Sequence, residues 1–277
     1  METGIAAEAL AWLSPRTLVA ELLDGRIVVI DPVTGAVVRD WAARGGAPDA
    51  VTARTRRRFV VLEPGRRTSG LAVVDDAGRL RRVSFRARLE RGVRAALVAD
   101  PLRERAYVLP GGRRAVAVDL RRMRARSRPL RGAVPGRPAA VRDLDASWLG
   151  GGRLALSGVD YPRGRRAGSV PAGVRVVDTA SWDVRRVDAN GSGPPPVGAR
   201  LVAYGKRGVR GYAPDGRRLF GLLDGRAVWS VGRVGRFAYA LSPPATWVID
   251  VRTGRAVRRV PLPRELGGVI ARRCPPG

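Results

Sequence analysis

The residue types that most often carry catalysis or hold metal ions are scarce in this sequence. There is no histidine, Cys274 is the single cysteine and Asn190 the single asparagine. Without histidine, a Ser-His-Asp or Cys-His arrangement is impossible, and zinc and copper sites lose their usual ligands. The nearest approach to a calcium-binding ladder of carboxylates is DLD at residues 143–145, which we interpret as a turn before a strand. We therefore expect no metal site and no cofactor, and we interpret Cys274 as an incidental thiol.

Cationic side chains, in contrast, are abundant. The 277 residues include 52 Lys and Arg, of which only Lys206 is lysine, against 24 Asp and Glu, so the net charge is +28. A charge of this size favours anionic partners and fast, salt-sensitive association. It also makes nucleic-acid binding a hypothesis, although no DNA- or RNA-binding module is readable in the sequence.

A sequence pattern typical of a β-hairpin occurs six times along the chain. Its first copy, residues 25–39, reads GRIVVIDPVTGAVVR, and the later copies span residues 70–83, 114–126, 173–187, 208–220 and 246–260. A short β-rich run precedes each copy, at residues 17–22, 59–62, 106–109, 154–156, 201–204 and 237–241. Short strands separated by Gly, Pro and Asp turns predict an all-β fold.

The spacing of the repeat predicts how these strands are arranged. The positions equivalent to Asp31 are separated by 44, 44, 59, 35 and 37 residues, and the long interval contains an insertion at residues 157–172. Four-stranded propeller blades run about 40 to 50 residues. We therefore predict a single β-propeller domain over residues 1–277, with antiparallel four-stranded blades and units at about 9–45, 46–89, 90–131, 139–190, 197–224 and 226–265.

The fourth strand of each blade must come from the segments between the units. Candidates are residues 49–53, 94–99, 146–149 and 227–231, with a weak one at 197–199. Residues 9–13 or 269–271 could supply the strand that closes the ring, and if both are inner strands a seventh, partial blade exists. A two-layer sandwich is the competing all-β fold, but it does not require a repeat of this period.

In five of the six copies an aspartate ends the first strand of the hairpin, as in IVVID at residues 27–31. Its carboxylate can accept backbone N–H groups two residues further on and so form an Asx-turn. We expect a structural role in these turns for Asp31, Asp75, Asp119, Asp178 and Asp250.

The propeller arrangement would gather some of the cations on one face. Loops between the second and third strands of each blade emerge on the same side as the connections between blades. In units two to five these loops and the insertion carry the residues that we predict to bind an anionic ligand: Arg66, Arg67, Arg113, Arg114, Tyr161, Arg163, Arg165, Arg166, Lys206 and Arg207. An aromatic ring among arginines can stack on bases or help to hold phosphate and sulfate.

The first and last copies also resemble a known repeat. Residues 25–41 (GRIVVIDPVTGAVVRDW) and 246–260 (TWVIDVRTGRAVRRV) are similar to the quinoprotein-type and YVTN-type, WD-like propeller repeats, in which a strand ends in Asp, a TG turn follows and a further strand closes with Trp. The resemblance implies the propeller architecture. It does not imply quinone binding, because the tryptophan that closes the repeat is present in the first copy, as Trp41, and in none of the later copies.

Three functions remain open from the sequence. The first is a non-enzymatic propeller scaffold, expected to be a monomer, that binds a protein partner or an anionic ligand through the arginine-rich loops. The second is a lyase or hydrolase of acidic saccharides with Tyr161 as acid or base, although no base of suitable pKa can be named. The third is charge-driven nucleic-acid binding. The first residues lack the pattern of a secretory signal peptide, which predicts a cytoplasmic protein unless a leader or anchor precedes Met1.

Overall fold

The strands of the computed structural model fall into two compact units, Met1–Pro129 and Leu130–Gly277. The structure describes residues 7–43, 51–65, 68–87, 93–110, 113–132, 141–161, 170–189, 191 and 201–262. Over this part of the chain every regular element is a β-strand. Within the same residues no helix has the length and hydrophobicity needed to cross a lipid bilayer.

The first unit contains three antiparallel sheets, each built from four strands that follow one another in the chain. The first sheet contains β1 (Ala7–Ser14), β2 (Thr17–Leu22), β3 (Arg26–Ile30) and β4 (Val37–Ala42). The second sheet contains β5 (Thr52–Arg54), β6 (Arg58–Glu63), β7 (Ser69–Asp75) and β8 (Leu80–Phe85). After the short strand β9 (Val93–Arg94), the third sheet contains β10 (Ala96–Asp100), β11 (Arg105–Leu109), β12 (Arg114–Asp119) and β13 (Arg124–Pro129).

The second unit also contains three sheets. In the fourth sheet the strands are β14 (Val141–Gly150), β15 (Arg153–Tyr161), β16 (Val170–Pro171), β17 (Val174–Asp178) and β18 (Val184–Asp188), and β16 pairs with the far end of β15. The fifth sheet has three described strands, β19 (Leu201–Gly205), β20 (Gly208–Tyr212) and β21 (Arg218–Leu222). The sixth has β22 (Ser230–Val234), β23 (Phe237–Ser242), β24 (Ala245–Asp250) and β25 (Arg255–Pro261).

Alternation along the strands explains why the sheets stack face to face. In β6, Phe59 and Val61 pack against the first sheet, whereas Val60 and Leu62 pack against the third. In β19 of the second unit, Leu201 faces the fourth sheet and Val202 faces the sixth. Because neighbouring side chains of a strand point to opposite faces, a strand buried on both sides reads as a nearly continuous apolar run. The β-rich runs in β6, β11 and β19 are doubly buried strands of this kind, whereas in β23 of the last copy Tyr239 is exposed.

The predicted strands are largely present, with three differences. Residues 143–145 lie inside β14, so their interpretation as a turn is wrong: the pairing with β15 continues without interruption from Trp148 to Val141, which pairs with Tyr161. The insertion at residues 157–172 is partly sheet, since β15 and β16 extend into it. The inner strand expected at 227–231 is β22, which begins only at Ser230. The weak candidate at 197–199 and the closing candidate at 269–271 lie outside the described residues, whereas residues 9–13 lie in β1 and pair with β2.

Candidate functional site

Of the ten residues predicted to bind an anionic ligand, the structure gives the surroundings of four. Arg113 and Arg114 are exposed at the start of β12, and Lys206 and Arg207 are exposed in the tight turn between β19 and β20. Tyr161 is the last residue of β15, and only that position is described. Five predicted residues lie outside the described part of the chain: Arg66, Arg67, Arg163, Arg165 and Arg166. The hypothesis of an acidic-saccharide enzyme therefore stays a prediction.

In the second unit, Lys206 and Arg207 are held against the connection to the next sheet. The N–H of Gly208 donates to the carbonyl of Arg226 (3.1 Å), and the N–H of Val228 donates to the carbonyl of Gly205 (3.0 Å). These two bonds join the β19–β20 turn to the segment between β21 and β22. The β19–β20 turn and the connection from β21 to β22 thus meet at one end of the fifth sheet. Arg226, in that connection, adds a cation there.

Trp247 of the sixth sheet extends this group. The guanidinium carbon of Arg226 lies 5.9 Å from the centre of the Trp247 ring, and that of Arg259 lies 5.8 Å away. Arg259 reaches the ring because it pairs with Trp247 across β24 and β25. A guanidinium at this distance is attracted by the π-electrons of the indole. We call Lys206, Arg207, Arg226, Trp247 and Arg259 the loop-end cluster.

The charge of the loop-end cluster is strongly positive. Its four cations are exposed, and the acidic residue of the neighbouring connection is Asp224, which is exposed too. An exposed ion pair contributes little in water. Two guanidiniums held on one indole repel each other, so an anion bound between them would relieve that repulsion. The arrangement can bind carboxylates or phosphates, whereas it offers no base or nucleophile.

A buried polar group lies between the fourth and fifth sheets. The hydroxyl of Tyr212 on β20 donates to Oδ2 of Asp188 at the end of β18 (2.6 Å), and Nε of Arg210 lies 3.1 Å from the same oxygen. All three residues are buried, at 5–8% exposure. Burial, together with the hydrogen bond to Asp188, raises the pKa of the Tyr212 hydroxyl to about 12. The group joins the fourth and fifth sheets of the second unit.

In the first unit, Arg114 is tied to its own sheet. Its Nε donates to Oγ of Ser127 on the neighbouring strand β13 (2.8 Å). Ion pairs also join the sheets of this unit, since Nε of Arg58 on β6 lies 2.7 Å from Oε2 of Glu104 in the turn before β11. Both of these side chains are largely buried, so the pair is shielded from solvent.

The five repeat aspartates lie in turns and accept backbone N–H groups. The closest donors are Val33 to Asp31 (2.8 Å), Arg79 to Asp75 (2.9 Å), Arg121 to Asp119 (3.0 Å), Ala180 to Asp178 (2.8 Å) and Arg252 to Asp250 (2.8 Å). Hydrogen bonds from Val33 and from Arg122 are the main reason that the pKa values of Asp31 and Asp119 lie below the usual value. Within the described residues there is no group of three or more Cys, Asp or Glu side chains that could hold a metal ion.

Three members of the loop-end cluster are not predicted from the sequence: Arg226, Trp247 and Arg259. Part of the necessary signal was present, because the sixth copy, TWVIDVRTGRAVRRV, places an aromatic residue and an arginine at positions that face each other in a hairpin. The position of Arg226 depends on the connection between two sheets, which the repeat does not specify.

Comparison with known proteins identifies the fold. No protein-family model matches the sequence, and no curated protein matches it. Among solved structures, the chain is similar to the β-propeller domain of Cps50 (Swd1) from Myceliophteria thermophila, with 15% identity, a TM-score of 0.57 and coverage of 95% of this chain and 89% of that one. It is also similar to the WD40 repeats of RRP9 (13% identity, TM-score 0.56, coverage 95% and 82%) and to U3-55K (11%, 0.54, 95% and 84%). The chain therefore has a WD-like β-propeller fold, as the repeat predicted.

Proposed function

We propose that this chain is a non-enzymatic β-propeller scaffold that holds an acidic protein partner against the loop-end cluster. The observation that carries the proposal is the pair of backbone bonds that fixes Lys206 and Arg207 beside Arg226. The backbone bonds fix the loops that carry these cations, and Trp247 restricts the side chains of Arg226 and Arg259. Ordering this cluster on binding therefore costs less entropy than ordering cations on mobile loops. An acidic surface would then meet three or four positioned charges.

The architecture supports the same proposal. Three sheets in each unit agree with the six repeat units, so we propose six blades within one domain, with a seventh only if residues 269–271 contribute an inner strand. We also propose that the blades are of the YVTN-type and quinoprotein-type architecture, which the repeats at residues 25–41 and 246–260 resemble. The solved propellers it resembles include WD40 repeats, a fold that hosts many functions, so the cluster and not the fold suggests the partner.

The test uses a fluorescein-labelled oligoglutamate peptide and measures its anisotropy at low salt. The site variant carries Lys206→Ser, Arg207→Ser and Arg226→Ser. At about 0.5 kcal/mol for each exposed pair, we expect the dissociation constant to rise roughly tenfold. Affinity of the unchanged protein should fall steeply as salt is added, because the contacts are exposed charges.

The matched control removes the same charge from the opposite ends of the same two sheets. Arg217, Arg218 and Arg255 are exposed at the β20–β21 and β24–β25 turns, and all three become serine. We expect this variant to bind the peptide nearly as well as the unchanged protein. Equal losses in both variants would contradict the proposal, since net charge alone would then explain binding. Displacement of the peptide by millimolar inorganic phosphate would identify a small anion, not an acidic protein, as the ligand.

A further inference from the structure

The outer strand of the third sheet carries a row of arginines that the proposed function does not use. In β13, Arg124, Arg126 and Arg128 alternate with Ala125 and Ser127. Ala125 packs against the hydrophobic cluster that the third sheet shares with the second. Because side chains alternate along a strand, the three arginines lie on the opposite face of β13. Arg124 and Arg126 are exposed and Arg128 is half-buried.

The row has a regular spacing along the backbone. Residues two apart in a strand are separated by about 6.6 Å, so the three guanidiniums start from points spread over roughly 13 Å. Across the strand pair they face Asp119, Ala117 and Ala115 of β12. The two alanines leave the arginines without a competing long side chain on the neighbouring strand. β13 pairs only with β12 within the described residues, so it forms the edge of its sheet.

The acids of this sheet are already occupied. Residues 96–129 contain nine arginines and three acids, Asp100, Glu104 and Asp119. Asp100 accepts the N–H of Leu102, Glu104 pairs with Arg58, and Asp119 accepts the N–H groups of Arg121 and Arg122. Among the described residues, none of the three arginines of β13 forms an ion pair. The positive charge of the row is therefore available to an external polyanion.

We propose that the arginine row of β13 binds the sugar-phosphate backbone of single-stranded nucleic acid. Guanidiniums that start at regular intervals along one extended strand fit one extended chain of phosphates, whereas the phosphates of a duplex follow a helix away from the strand. Arginine presents a planar fork of donors that matches phosphate. Tyr107 is the aromatic residue of this sheet and is buried, so no described ring is placed to stack on bases. Binding should therefore not depend on base sequence.

An acidic peptide is the alternative occupant. It would have to place carboxylates on alternate residues and pair its backbone with the edge of β13, where Pro129 offers no N–H. A nucleic-acid strand carries a charge at every unit and needs no such register. This inference is independent of the loop-end cluster, which belongs to the fifth and sixth sheets.

The experiment measures binding of fluorescein-labelled dT20 to the full chain over a range of salt concentrations. Each phosphate neutralised in a single strand contributes about 0.7 to the slope of log K against log salt. In the variant Arg124→Ser, Arg126→Ser, Arg128→Ser, we expect the slope to become shallower by roughly 2. A second variant with lysine at all three positions keeps the charge, so it should retain the slope. A mixed-sequence oligonucleotide of the same length should bind as dT20 does.

The matched control changes Arg103, Arg121 and Arg122 to serine, three exposed arginines in the turns at one end of the same sheet. It should leave the slope unchanged to within about one phosphate. The proposal is overturned if control and site variants lose the same slope, or if the lysine variant loses it too. Tighter binding of a duplex than of dT20, or an equal loss in binding of oligoglutamate, would also overturn it, the latter in favour of an acidic peptide.

Discussion

Asp188 shows at the scale of single residues how a buried carboxylate is satisfied in this fold. Its Oδ2 atom receives the hydroxyl of Tyr212 and lies within ion-pair distance of Arg210. A buried charge is costly unless it is paired and hydrogen-bonded. Here the cation, the phenol and the acid come from two sheets, so the contact stabilises their packing as well as the charge.

We predict that Tyr212→Phe lowers stability by about 1–3 kcal/mol, because Asp188 then loses a buried donor while Arg210 remains. The variant should also change the dependence of stability on pH. The folded pKa of Tyr212, about 12, lies above the ordinary tyrosine value of 10, so the hydroxyl contributes stability that is complete below pH 10 and is lost as the pH rises towards 12. Urea unfolding at pH 8 and pH 11 measures both effects.

The control for this variant is Tyr239→Phe, which removes the hydroxyl of an exposed tyrosine on β23 of the same unit. It should leave the stability at pH 8 within about 0.5 kcal/mol of the unchanged protein. The difference between the unchanged protein and Tyr212→Phe should be smaller at pH 11 than at pH 8. A constant difference would show that the buried hydroxyl does not titrate as the geometry requires.

At the scale of elements, the position of the Phe220 side chain on β21 depends on two glycines. The ring of Phe220 on β21 lies directly over Gly211 of β20, where a Cβ atom would collide with it. The same ring lies against Gly254 in the turn before β25. Phe220 thus contacts both the fifth and the sixth sheets, and both contacts require glycine.

We predict that Gly211→Ala destabilises the second unit by about 1–3 kcal/mol, since the added methyl group displaces the Phe220 ring from its packed position. Gly232→Ala is the matched control: Gly232 also lies in a strand, β22, and a Cβ there meets no atom within 4 Å. This control should be neutral or slightly stabilising. Thermal unfolding of the two variants measures the difference. Equal midpoints would mean that the ring moves aside at no cost.

The sequence predicted elements better than it predicted their partners. The doubly buried strands were visible because their apolar runs recur with the repeat, as in LVAY at residues 201–204. β14 and β15 were longer than expected, because DLD at 143–145 has a turn-like composition although its pairing partners on β15 keep it extended. Tertiary pairing here overrides local preference.

The candidate site, too, was predicted in its loop residues but not in the residues that other segments contribute. Lys206 and Arg207 could be assigned to a loop from the repeat, and the structure places them in the β19–β20 turn. Arg226 joins them through bonds between two segments about 20 residues apart, and Trp247 joins through a different sheet. Contacts of this kind depend on how sheets follow one another, and a single repeat carries no information about them.

At the scale of the whole molecule, charge is the dominant feature. A net charge of +28 opposes folding through self-repulsion, although it keeps copies of the chain apart. Burial of the doubly apolar strands opposes this repulsion, at about 1.5–3 kcal/mol for each buried Val or Leu. Outer strands rich in arginine also discourage edge-to-edge pairing of sheets. Some of these outer-strand cations, the arginines of β13 and Arg259 of β25, also belong to the two proposed binding surfaces.

Added salt should therefore stabilise this protein. Ions screen the repulsion among 52 cations, and they also weaken the attractive pairs with 24 acids, but repulsive pairs are in excess. We expect the midpoint of each thermal transition to rise by a few degrees between 20 and 300 mM NaCl, since about 1 kcal/mol corresponds to roughly 2–4 °C at this size. The shielded pair of Arg58 and Glu104 should contribute little to the change. A midpoint that falls with salt would show that specific ion pairs, and not net charge, dominate the electrostatic energy of the fold.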